Sequence, residues 1–263
     1  METPFTVLAI GDIVGKPGRK VVRDLLPALR ARFHVDFVIA NGENAAGGNA
    51  ITPGVVEEFL ALGIDVITTG NHVWDNKDIE KIIDTERRLL RPGNYPDGVA
   101  GRGYGIYESA RGDRKVCVVN LMGRVHMAPL DCPFRAFDRI FLDVSGKADI
   151  LIVDFHAEAT SEKRAFGWYA DGRASAVFGT HTHVQTADEE IQPGGTAYIT
   201  DIGMSGSFNS VIGMDREKSV LRFLRQMKIK YDVATGNEKL NGAVFRFSAE
   251  GRALSVERIV LEK

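Results

Sequence analysis

The histidines carry the first chemical signal. Two of the six in this 263-residue chain stand as His181-Thr182-His183, directly after the apolar run 174–178. In an extended strand, side chains two positions apart point the same way, so both imidazoles can face one point at the strand's end. That arrangement suits a metal ion and equally suits an exposed polar turn, so the choice rests on partners elsewhere. Further nitrogen and oxygen donors stand at the ends of other apolar runs: Asp12 after 5–10, Glu43 and Asn44 after 36–40, Asn71 and His72 after 64–69, and His156 after 148–155. Alone, Asp12 reads also as a helix cap, and 41–44 as a turn. Together with His181 and His183 they make eight donors, more than one ion needs and suited to two ions sharing a carboxylate. No cysteine is among them, which points to iron or manganese, with zinc as a further option. Two such ions ~3.5–4 Å apart clamp an in-line displacement at phosphorus.

The elements that position these donors follow from hydropathy. Runs that are apolar throughout read as strands buried on both faces. Strand 5–10 leads to helix 20–32, strand 36–40 to helix 53–62 with Thr52 as N-cap and Pro53 opening it, and strand 64–69 to helix 76–90. Three successive units thus deliver polar groups to one edge, where open parallel sheets bind ligands. Strands at 103–107 and 115–120 follow, joined through a turn at 111–114, then a loop at 122–134 holding His126, a helix at 137–142, strand 148–155, helix 161–169 and strand 174–178. A strand and turn at 195–203, a glycine-rich loop at 203–207, a helix at 215–227 and antiparallel strands at 230–234, 243–247 and 254–260 complete the chain. Glycines 11, 15 and 18 match neither the dinucleotide fingerprint nor the P-loop.

Composition bounds the function. At 44% hydrophobic content the chain can bury one large core, and 1–263 reads as a single domain. A formal charge of −2 without a basic block gives no footprint for long nucleic acid. Cys117 and Cys132 are too few for a disulfide framework. No run approaches the ~18 apolar residues of a membrane span, so the expected location is the cytoplasm, with no membrane partner. A homo-oligomer is expected from the general behaviour of enzymes.

The order Gly11-Asp12, Gly42-Glu43-Asn44, Gly70-Asn71-His72, His156 and Gly179-Thr180-His181-Thr182-His183 resembles the calcineurin-like metallophosphoesterases. The glutamate in the second motif, with Thr69-Gly70-Asn71-His72-Val73-Trp74-Asp75 and Gly213-Met214-Asp215-Arg216-Glu217, is similar to the YmdB-like bacterial branch, and the likeness spans nearly the whole chain. The resemblance implies an α/β fold, a four-layer αββα sandwich, with a dinuclear site. By it, Asp12, Glu43, Asn44 and His183 hold the first metal, and Glu43, Asn71, His156 and His181 the second, with Glu43 bridging. His72 becomes the proton donor to the leaving oxygen, a role that an imidazole beside a metal ligand can fill. The implied substrates are small cyclic nucleotides, 2′,3′-cyclic forms first and 3′,5′-cyclic forms as a further class. One departure is Val14, which stands where the wider superfamily has a histidine; Asn44 is the residue that supplies the missing donor.

Other readings stay open. The same ligands suit a phosphomonoesterase or a nuclease, and a regulatory scaffold could bind metal and nucleotide without turnover. An amidohydrolase is disfavoured, because its His-x-His belongs to the first barrel strand and here the pair comes late. The loops 204–209 and the one with His126 are expected to rim the pocket, and Trp74, Tyr104 and Trp168 to be packing residues.

Overall fold

The computed structural model describes residues 4–262. Its strands are β1 (Phe5–Ile10), β2 (Asp12–Ile13), β3 (Phe37–Asn41), β4 (Val66–Thr68), β5 (Tyr104–Glu108), β6 (Lys115–Met122), β7 (Ile150–His156), β8 (Ala176–Thr180), β9 (Glu190–Ile191), β10 (Ala197–Ile199), β11 (Met204–Ser207), β12 (Glu238–Phe247) and β13 (Ala253–Glu262). Its helices are α1 (Gly15–Phe33), α2 (Pro53–Ala61), α3 (Pro133–Val144), α4 (Thr160–Ala170) and α5 (Arg216–Arg225). They form a seven-stranded sheet ordered β2-β11-β12-β1-β3-β4, with β13 paired to β12, and a six-stranded sheet ordered β5-β6-β7-β8-β10-β9.

The parity of the buried side chains explains the layers. On β1, Phe5, Val7 and Ala9 meet Val116, Val118, Ile150 and Ile152 of the other sheet, while Leu8 and Ile10 turn to Val22 and Leu26 of α1. On β7, Leu151, Val153 and Phe155 likewise turn outward to Phe137 of α3 and Phe166 of α4. Each central strand is therefore covered on both faces, which is why its sequence is apolar without alternation. The result is the αββα sandwich. Strands β1, β3 and β4 run parallel, as do β6, β7, β8 and β10, so each set ends at one edge of its sheet. The Asn41 amide reaches across to the Asp154 carboxylate at 3.2 Å, which brings the two edges together.

Several expectations need correction. Helix α1 begins at Gly15 rather than 20, with Pro17 accepted in the first turn, where no N–H is required. The stretch 76–90 is not a helix: only a 3-10 turn, Lys77–Lys81, forms. The open edge of β4 captures its end, since Ile67 exchanges backbone hydrogen bonds of 2.8 Å with Arg88 and Leu90. The glycine-rich 204–207 is the buried strand β11, not a loop. Helix α1 crosses it closely: a Cβ on Gly18 would lie 2.4 Å from the Ser205 carbonyl oxygen, so that helix position has no room for a side chain. The stretch 230–234 joins no sheet; Asp232 and Ala234 bond to the backbone of 213–215 instead. No helix among the described residues is long and apolar enough to cross a membrane.

Candidate metal centre

The eight donors gather where the two strand-end edges meet. Asp12 begins β2, Glu43 and Asn44 follow β3, Asn71 and His72 follow β4, His156 ends β7, and His181 and His183 follow β8. Asp12, Glu43, Asn44 and His156 are buried, and the remaining four are half-buried.

His156 is the hub. Its Nδ1 lies 2.9 Å from the Thr180 hydroxyl, which donates its own proton to Asp154 Oδ1 at 2.6 Å. Nδ1–H must therefore be the donor, and Nε2 carries the lone pair. Around Nε2 lie Glu43 Oε1 at 3.0 Å, Asn71 Oδ1 at 3.0 Å and His181 Nδ1 at 3.1 Å. His181 is turned the same way, because its Nε2–H meets Glu158 Oε2 at 3.0 Å and leaves Nδ1 free. Four lone-pair atoms facing one another repel unless a cation stands among them. They belong to the four residues expected for the second metal. Glu43, His156 and His181 form the metal-capable cluster found among the described residues.

The first set shows the same incompleteness. Asp12 Oδ1 is buried without a hydrogen-bond partner, and so is Asn44 Oδ1. Asn44 donates its amide to the Gly48 carbonyl at 3.0 Å, which fixes its oxygen as the free end. His183 Nδ1–H donates to the Ile212 carbonyl at 2.9 Å, so its Nε2 faces Asp12 Oδ1 at 3.9 Å. Orphaned buried acceptors are rare and mark a missing ion or donor. The residues present thus fit a bound cation at both sets.

The charges say the same. Burial pushes the Asp12 carboxyl up from its usual range. Burial would also raise Glu43, but His156 and His72 hold it at about 2. Burial would lower His156, yet Glu43, Asp12 and Asp154 lift it to about 9. Burial and the neighbouring His156 push His181 down to about 3. The acidic groups around His156 thus favour positive charge at the point its Nε2 faces, the same place a cation would occupy.

Sequence reasoning missed the groups that hold the ligands. Lys163, 2% exposed, donates to Asp201 Oδ2 at 2.5 Å and to the Thr180 carbonyl at 2.7 Å. The same Asp201 oxygen accepts from the Thr182 hydroxyl at 2.8 Å, and Asp12 Oδ2 takes the His181 N–H at 3.1 Å. These bonds hold His181 and His183 at φ of 99° and 64°, a backbone region uncommon for residues other than glycine. Lys163 on a helix looks solvated in the sequence, and nothing there marks it. Asp154, lifted to about 6 by burial, also carried no signal beyond its place next to His156. Gly70 was visible as part of a motif, and its role is steric: a Cβ there would sit 2.2 Å from the His156 ring.

His72 stands beside the cluster. Its backbone N–H donates to Glu43 Oε2 at 3.0 Å, and its Nδ1 lies 2.8 Å from Asp75 Oδ2. The donors open into a cavity of about 670 Å³. The expected rim does not form it. His126 is exposed and absent from the lining, and 204–207 is buried as β11; the wall comes instead from 47–49, from Val211, Ile212 and Met214, and from Ser219, Phe223, Lys230 and Tyr231. Trp74 packs edge-on against Tyr95, whereas Trp168 is 52% exposed and so is not a core residue.

This fold is that of the calcineurin-like metallophosphoesterases. A crystal structure described as a novel phosphatase from Mycoplasma pneumoniae superposes with a TM-score of 0.93 at 34% identity, covering 100% of this chain and 95% of that one. A hypothetical protein from Thermus thermophilus gives 0.92 at 42% identity, covering 98% and 100%. Residues 8–259 match the family described as YmdB-like protein, and the chain belongs to that family. It is 46% identical over 256 residues to the 2′,3′-cyclic-nucleotide 2′-phosphodiesterase of Bacillus subtilis strain 168, covering 97% of this chain and 96% of the relative.

Proposed function

We propose that this protein hydrolyses 2′,3′-cyclic nucleotides at a dinuclear metal centre held by Asp12, Glu43, Asn44 and His183 on one side and Glu43, Asn71, His156 and His181 on the other. The coarser part of that reading, a phosphoric diester hydrolase, follows from family membership and the relative at 46% identity. The observation that carries the finer part is the convergence of Glu43, Asn71 and His181 donor atoms within 3.1 Å of His156 Nε2. When bound, the ions supply Lewis-acid stabilisation of the phosphoryl oxygens and lower the pKa of the attacking water.

The chain's own residues do the rest. Asp75 accepts from His72 Nδ1–H, so in the doubly protonated imidazolium the transferable proton is the one on Nε2. As the water oxygen bonds to phosphorus and the P–O2′ bond breaks, His72 delivers that proton to O2′, leaving a 3′-phosphomonoester. The backbone bond from His72 to Glu43 ties the acid to the ligand cluster. Hydrolysis of 2′,3′-cyclic AMP, 3′,5′-cyclic AMP and a phosphomonoester tests this. Preferred conversion of the 2′,3′-cyclic diester to 3′-AMP is expected; turnover of the monoester alone would place the site among phosphomonoesterases.

A further inference from the structure

The cavity above the donors has a second half with different chemistry. Its floor is polar, but the wall opposite carries Ile212, Met214, Phe223 and Tyr231. Three of these stand in the open: Phe223 is 71% exposed, Ile212 51% and Tyr231 39%. Large apolar side chains left bare beside a ligand site mark a place where an apolar face is meant to lie. The Arg222 guanidinium sits 4.7 Å over the Tyr231 ring, which orients that ring from one side.

A second, independent observation comes from Ser219. A serine within a helix usually returns its hydroxyl to the carbonyl four residues back. Ser219 is 2% exposed, lines the cavity from α5, and its Oγ has no hydrogen-bond partner. A buried hydroxyl left unpaired among aromatic side chains is what a flat ligand with polar edges would complete. Lys230 supplies the one lysine or arginine of the described lining, too little charge for a polynucleotide track.

Resting on the phosphodiesterase reading above, we infer that this wall is the nucleobase subsite, with Phe223 and Tyr231 contacting the base face and Ser219 its edge, and that it selects purine mononucleotides. Base–aromatic contact grows with the area of the ring face, and a purine offers the larger one. The phosphate then lies over Glu43 and His181 while the base lies against α5.

The test compares 2′,3′-cyclic AMP with a base-free diester, 1-O-methylribose 2′,3′-cyclic phosphate, on the metal-loaded full chain. For Phe223→Ala and Tyr231→Ala, the ratio of kcat/KM for the nucleotide to that for the base-free diester falls on the order of tenfold, with the loss carried by KM. Ser219→Ala lowers the ratio in the same direction, Phe223→Tyr restores it, and the wild type prefers 2′,3′-cyclic AMP to 2′,3′-cyclic UMP. An unchanged ratio in both alanine variants of an active protein overturns the subsite and leaves the phosphodiesterase reading standing. A wild type that cleaves neither diester overturns both.

Discussion

The donors and the groups that aim them differ in how plainly the residues announce themselves. Asp12, Glu43, Asn44, Asn71, His72, His156, His181 and His183 stand out in the sequence because metal-compatible donors recur after one apolar run after another, although each alone also suits a cap or a turn. Lys163 and Asp201 do not stand out, since their pairing spans 38 residues and joins α4 to the turn between β10 and β11. Removing one partner of a buried pair strands the other charge. Lys163→Met should therefore lower stability by about 3 kcal/mol, read as the denaturation midpoint. It should also loosen His181 and His183 and weaken metal retention in equilibrium dialysis; a variant equal to wild type in both would remove the role assigned to Lys163. The cysteines give a separate check. Burial pushes the Cys117 thiol up to about 12, so it stays protonated at pH 8, whereas Cys132 is half-buried. The native chain should react with a thiol reagent at one site and the denatured chain at two.

At the scale of elements, local chemistry was readable where it did not depend on a distant partner. Thr52 and Pro53 start α2 as their types dictate, and the Thr52 hydroxyl accepts from the Val55 N–H at 3.4 Å. Thr52→Ala should cost about 1 kcal/mol, checked by thermal or urea unfolding. The stretch 76–90 departs from its helix-like pattern because the spacing of Ile79, Ile82 and Ile83 is served as well by successive turns packed on the core. The decisive bonds, from the Ile67 N–H to the Arg88 carbonyl and from the Leu90 N–H to the Ile67 carbonyl, lie beyond any local window. Likewise, the glycines and serines of 203–207 suggested a loop, whereas 204–207 is a buried strand that α1 approaches closely enough to require glycine at 18. Gly70 belongs to this scale because it ends β4 against the His156 ring. Gly70→Ala should weaken metal affinity at least tenfold in a metal titration, as loss of a group that orients a ligand does. Unchanged affinity would show that the ring has room to move.

At the scale of the whole molecule, the α/β character was legible because strands covered on both faces must be apolar throughout. The division into two sheets was legible through the family motifs and not through hydropathy, since it depends on β12 pairing with β1, β11 and β13 at once. Nor was the cavity wall legible: Phe223, Ser219 and Tyr231 gain meaning only when α5 is set opposite the strand ends. The two sheets share one apolar cluster, with Phe178 of one against Phe245 of the other. One cooperative unfolding transition is therefore expected for the chain, with coincident midpoints by fluorescence and circular dichroism.

The most direct test of the central claim is metal content measured alongside 2′,3′-cyclic AMP hydrolysis, for wild type and for His72→Ala. Two transition-metal ions per chain in both proteins, with turnover reduced roughly 10²- to 10⁴-fold in the variant alone, is the predicted result. Full turnover after the metal is stripped, or an undiminished His72→Ala enzyme, would contradict it.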